Sequence, residues 1–187
     1  MEEPIDFWSY SLDVYSRSGV ASACLALQND LDVDVNVLLY CCWHGTTRGA
    51  ISDRNFDAVR IFTTKWSSAL VGPLRSARSW LKIEGCDQKE IPREDCETLR
   101  QRIKEAELEC ERLQQIAMEH LSPPPDKRLQ PVSKQANASL QNIATYLEAL
   151  GANVSGESCA HLVAILSGIF PGIDSSELED RIRGRFT

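Results

Sequence analysis

The stretch "NDLDVDVNVLLYCCWHG", Asn29–Gly45, decides the fold. It sets Asp30, Asp32 and Asp34 at every second position and then runs into two cysteines and a histidine. Three readings compete: a calcium loop, a nucleophile with its base, and the start of a buried helix. A calcium loop counted from Asp30 needs glycine at its sixth position and a bidentate acid at its twelfth. Those positions hold Val35 and Cys41, so the ligand set is incomplete. Cys41 and His44 stand three apart and share a helical face, as a thiol and its base would. Yet Cys41 lies among Leu39, Cys42 and Trp43, and apolar burial raises a thiol pKa and makes the sulfur inert. No nearby acid is placed to orient the imidazole. The helix reading accounts for the whole segment. Asp34 caps it, and Val35, Leu38, Leu39 and Cys42 turn inward. Asn36, Tyr40 and His44 recur every fourth residue and form one polar line. That line reads as the wet face of an amphipathic helix, or as the lining of a small-molecule pocket with Trp43 at its rim.

The same period of about 3.6 extends outward in both directions. Upstream, Ile5, Trp8, Leu12 and Tyr15 make one stripe and Phe7, Tyr10 and Val14 a second, which predicts a first helix buried on two sides. Ser18-Gly19 breaks it, and Val20, Cys24, Leu27 and Leu31 begin the next helix. Downstream, Phe56, Val59, Thr63, Trp66 and Leu70 mark a fourth helix, which Pro73 should kink or restart. Leu74, Ala77 and Leu81 continue its apolar side. From Pro92 to about Leu121 runs the longest helix, charged on most faces. Leu99, Ile103, Ala106, Cys110, Leu113 and Ala117 give it one narrow apolar stripe in the spacing of a coiled-coil seam. "SPPPDKRLQP" ends it. "NASLQNIATYLEALG" and "ESCAHLVAILSGIF" then read as a helical hairpin, and "DSSELEDRIRGRF" as a last short helix capped by Asp174 or a neighbouring serine.

Composition narrows the chemistry. The 187 residues are 43% apolar with a formal charge of −7, which suits a folded chain and disfavours indiscriminate binding to nucleic acid. Seven cysteines are an odd number, and the acidic opening "MEEPIDFWSY" lacks the basic start and apolar run of a secretion signal. The expectation is a cytoplasmic protein with free thiols. No apolar run approaches the roughly 18 residues of a membrane span. A zinc site would want Cys-x-x-Cys pairs, whereas Cys86, Cys96, Cys110 and Cys159 lie far apart and His120 and His161 are isolated. Neither metal nor cofactor is expected. A phosphate-cradling glycine loop, a Gly-x-Ser-x-Gly elbow and a His-Glu-x-x-His helix are all missing, so no catalytic residue is assigned.

Charge is distributed unevenly. Between Arg48 and Lys82 seven bases stand against Asp53 and Asp57, and between Glu84 and Glu111 ten acids stand against five bases. Arg75, Arg78 and Lys82 either form an anion or RNA surface or pack against the acidic helix and are neutralised there. The second alternative is preferred, because no aromatic-basic interleaving accompanies the charge. DNA reading by the C-terminal hairpin is not expected either, since its second helix carries no Lys or Arg.

One further signal comes from "FWSYSLDVYSRSGVASACLALQN", "DVNVLLYCCW" and, more loosely, "GPLRSARSWLK" and "RIKEAELECERLQ". These segments resemble a domain-of-unknown-function family of short helical bacterial proteins, over roughly Phe7 to Met118. The resemblance implies a helical fold and carries over no activity, ligand or catalytic residue.

The expected protein is therefore all-α: a main helical bundle over 1–121 with one long charged helix, a proline-rich linker over 122–132, and C-terminal helices over 133–187 packed on the bundle. The expected function is protein–protein interaction or an adaptor role, with Leu99, Ile103 and Leu113 as a self-association seam. The alternative is a small-molecule-binding protein or an enzyme without a known motif, with its pocket at Asn36, Tyr40, Trp43 and His44.

Overall fold

The helix that follows Asp34 has no solvent face. In the computed structural model, which describes residues 5–87, 90–125 and 130–186, Asp34 accepts a 2.9 Å hydrogen bond from the Asn36 amide and caps it. This helix, α3 (Val35–Thr47), buries every residue from Asn36 to Gly45. A helix apolar nearly all round can only be an interior one. The wet face expected for Asn36, Tyr40 and His44 does not exist: Tyr40 meets the Phe7 ring and the Asn55 and Ser122 side chains, and His44 meets the Gly49 carbonyl.

The cover lies within one compact unit, Met1–Asn55 with Ser122–Thr187. α1 (Phe7–Ser16), capped by Asp6, buries Phe7, Tyr10, Ser11 and Val14. The stripe Ile5, Trp8, Leu12, Tyr15 is not buried with it: Ile5 and Leu12 are exposed. Only the Phe7 side faces the aromatic rings of α3, so α1 is buried on one face and not on two. Gly19, at φ 81°, turns the chain through a conformation closed to most side chains and opens α2 (Val20–Leu31). α7 (Val132–Leu150) lies along α3. Gly45 of α3 stands directly against Ser139 of α7. A Cβ built there would sit 2.3 Å from Ser139 Oγ and 2.5 Å from the Ser139 backbone nitrogen. α8 (Gly156–Ile169), capped by Ser155, packs on α2, and α9 (Ser175–Phe186) packs on α8. Asp174 accepts from the Ser176 amide at the start of α9, as the sequence suggested.

The second compact unit is Phe56–Leu121. α4 (Asp53–Trp66) runs through a π-helical turn (Ser67–Val71) into α5 (Gly72–Ile83). The wide turn, with the Gly72 amide donating to the Ser67 carbonyl, stands where Pro73 would otherwise clash with the preceding turn. A 3-10 turn (Gly85–Asp87) follows, and α6 (Arg93–His120) then returns along α5. The chain therefore divides after Asn55 and after Leu121, not once at the proline-rich linker. α7–α9 belong to the same unit as α1–α3, because α3 needs cover on more sides than α1 and α2 supply. Linker residues 126–129 lie outside the described residues.

Candidate interaction surface

The four residues read as a possible pocket meet in the interior. Asn36, Tyr40, Trp43 and His44 are 8%, 0%, 0% and 1% exposed, so Trp43 stands at no rim. Phe7, Tyr40 and Trp43 form an aromatic cluster with ring centroids 5.2–5.9 Å apart, within the range of favourable edge and offset contacts. Their polar atoms are used internally. Trp43 Nε1 donates to the Ile5 carbonyl at 3.0 Å, and the Arg48 guanidinium lies 3.9 Å over the indole. The Tyr40 hydroxyl bonds Asn55 Oδ1 and Ser122 Oγ, and burial pushes its pKa up to about 12.

Cys41 and His44 are both enclosed, at 0% and 1% exposure. His44 Nδ1 donates to the Gly49 carbonyl at 2.9 Å, while its Nε2 is buried with no partner among the described residues. Burial lowers the imidazole pKa, with the nearby Arg48 charge adding to it against the bond to Gly49. Burial raises the Cys41 and Cys42 thiols far above the thiolate range. The spaced acids hold nothing in common either. Asp32 ends α2 at φ 55° and Asp34 begins α3. Among the described residues no group of three His, Cys, Asp or Glu side chains is placed to hold a metal ion. Among them, too, no helix is long and apolar enough to cross a membrane.

Two residues that fix this interior escaped the sequence reading. Ser139 Oγ donates to the Cys42 carbonyl. Asn142 Nδ2 donates to the carbonyls of Cys41 and Gly49, and its Oδ1 accepts from the Ile51 amide at 2.8 Å. The available signal was a pair of polar residues on the face of α7 that also carries Leu140 and Ile143. A cleft of about 440 Å³ opens elsewhere in this unit, lined by Ile5, Tyr10, Arg17, Thr46, Val132 and Phe170 among others.

In the second unit the basic helix and the acidic helix face each other. Arg75 Nε reaches Glu107 Oε1 at 3.0 Å and its Nη2 reaches Glu111 at 2.8 Å, while Arg78 also grips Glu107. Burial alone would raise the Glu107 carboxyl, but hydrogen bonds from Arg78 and Arg75 outweigh it and hold the group below its ordinary value. The arginines are thus neutralised within the unit. Lys82 is exposed and takes part in none of the ion pairs among the described residues. Glu107, Gln114 and Met118 lie on the buried line of α6 with Cys96. The predicted apolar stripe stands to one side of that line. Leu99 is 49% and Leu113 40% exposed, and Ile103 is half-buried.

More apolar surface is open on this unit. Ile61, Trp80, Ile83 and Leu108 are all more than half exposed or nearly so, and most exposed large apolar side chains among the described residues fall within 56–121. Taken together, these features define an all-α protein with a sealed helical core and an apolar surface on a separate helical unit. Residues 6–118 match the model of a family described as Protein of unknown function (DUF2390), and the chain belongs to that family. The match runs from the cap of α1 to the last turns of α6 and stops before α7. No curated protein and no solved structure matches the chain.

Proposed function

We propose that the protein is an interaction or adaptor protein that engages its partner through the unit formed by α4, α5 and α6. The observation that carries this reading is the concentration of exposed large apolar side chains on residues 56–121, with Trp80 at 50% and Ile83 at 71%. Scattered apolar residues are ordinary on any surface, whereas their concentration on one unit supports reading it as a contact region. A pair of helical arms also buries little core of its own, and this unit spends part of its buried surface on an ion-paired glutamate. The residues that suggested chemistry, Cys41 and His44 above all, are enclosed, which removes the main support for an enzyme reading.

The test compares the full chain with a Trp80→Ser, Ile83→Ser variant as bait in extract from the native cells, with helicity checked by circular dichroism. The reading expects a protein retained by the parent chain and lost, by at least about tenfold, with the folded variant. The same retained set on both baits contradicts it.

A further inference from the structure

We propose that the exposed stripe of α6 pairs antiparallel with the same stripe of a second copy of this chain, about a two-fold axis at Ala106. This rests on the reading of the α4–α6 unit as a contact region and names its partner.

The stripe is composed of Leu99, Arg102, Ala106, Glu109 and Leu113, all exposed. Their spacing of three, four, three and four residues keeps them on one side of the helix. At 100° per residue that side lies about 120° around α6 from the buried line through Glu107 and Gln114. It therefore stands clear of α5.

The order of residues along the stripe is nearly palindromic in chemical character. Leu99 and Leu113 each lie seven residues, two helical turns, from Ala106. Arg102 lies four before it and Glu109 three after. In an antiparallel pair, residues equidistant from the axis meet. Leu99 then meets Leu113 of the second copy on both sides of the axis. Arg102 comes within one residue of register with Glu109 of the second copy, twice. Ala106 faces its own counterpart, and so small a side chain lets the helices approach closely.

The parallel arrangement has the opposite electrostatics. It sets Arg102 beside Arg102 and Glu109 beside Glu109, and like charges in facing positions oppose association. Charge thus selects the direction as well as the register. Both charges are available for this. Arg102 is exposed and takes part in none of the ion pairs among the described residues. Among the described residues Glu109 is ion-paired with its neighbour Arg112, at 2.7 Å on an exposed surface, a contact that is readily exchanged. α6 has 28 residues, so a seam from Leu99 to Leu113 lies wholly within its length of about 42 Å.

The experiment is sedimentation equilibrium of the full chain from micromolar to several hundred micromolar, under reducing conditions. The parent chain is expected to reach twice the monomer mass. Arg102→Glu alone and Glu109→Arg alone each turn two attractive contacts into repulsive ones and should raise the dissociation constant at least about tenfold. The double variant Arg102→Glu, Glu109→Arg rebuilds the same contacts with the signs exchanged and should return it to within about threefold of the parent. A folding defect would not be repaired by adding the second reversal. A parent chain monomeric at every concentration overturns the proposal, as does a dimer indifferent to either single reversal or a double variant that stays dissociated. If the chain is monomeric and the Trp80, Ile83 variant still loses a retained protein, the second copy is refuted and the wider contact reading survives.

Discussion

His44 shows how much one buried side chain constrains. Its Nδ1 carries the proton given to the Gly49 carbonyl, so the neutral ring leaves Nε2 as the atom that acid would protonate. A charge there has no partner. The folded pKa therefore lies below the ordinary 6.5, and between the two values the unfolded chain binds the extra proton. This contribution is fully present above pH 6.5 and is lost as pH falls towards the folded value. Glu107 acts in a lower window, since its depressed pKa contributes stability that is lost below about its ordinary 4.5. Urea denaturation should therefore show stability falling from pH 6.5 downward, by at most about 1.4 kcal/mol per pH unit for one group. His44→Asn keeps a donor near the Nδ1 position. It should be less stable at pH 8 from the lost ring, yet flat between pH 7 and 5. A variant that keeps the parental slope in that window would show that the dependence arises elsewhere.

At the scale of elements, α3 and α7 meet where two small residues allow it. Because the atoms closest to a Cβ at Gly45 include the Ser139 backbone nitrogen and Cα, α7 as a whole must move to admit a methyl group. Gly45→Ala should cost about 3 kcal/mol, read as a lower urea midpoint with an unchanged slope. Ser139→Gly should not rescue it, since the backbone atoms remain. Full rescue would mean that only the hydroxyl was in the way. This contact also explains what periodicity left illegible. A stripe shows which faces are apolar but not how many neighbours close over a helix. Asn36, Tyr40 and His44 therefore read as a wet line, although Asn36 and His44 are polar groups inside the core and Tyr40 sends its hydroxyl to Asn55 and Ser122. On α1 both stripes read as buried, and the ring partners at Tyr40 and Trp43, far away in sequence, cover Phe7 while Leu12 stays exposed. The helices themselves, the Asp34 and Asp174 caps and the disturbance before Pro73 were legible because each depends on local chemistry. So was the pairing of basic α5 with acidic α6, from charge alone.

Across the whole molecule the family match and the core do not end together. Residues 6–118 include α3 but not α7, the helix that lies along it through Gly45 and Asn142. In this chain the cover of α3 is completed by residues after 121, which gives the C-terminal helices a structural role in the first unit. The seven cysteines fall into two groups on the same map. Cys24, Cys41, Cys42 and Cys96 are buried, whereas Cys86, Cys110 and Cys159 are partly open. The central claim is that the thiols and rings of Asn29–Gly45 are packed interior. It is tested most directly by timed maleimide labelling of the native full chain at pH 7, with each site read by peptide mass spectrometry. The account predicts modification at Cys86, Cys110 and Cys159, with Cys41 and Cys42 unmodified until denaturant is added. Labelling of Cys41 in the folded protein as fast as Cys86 would contradict it.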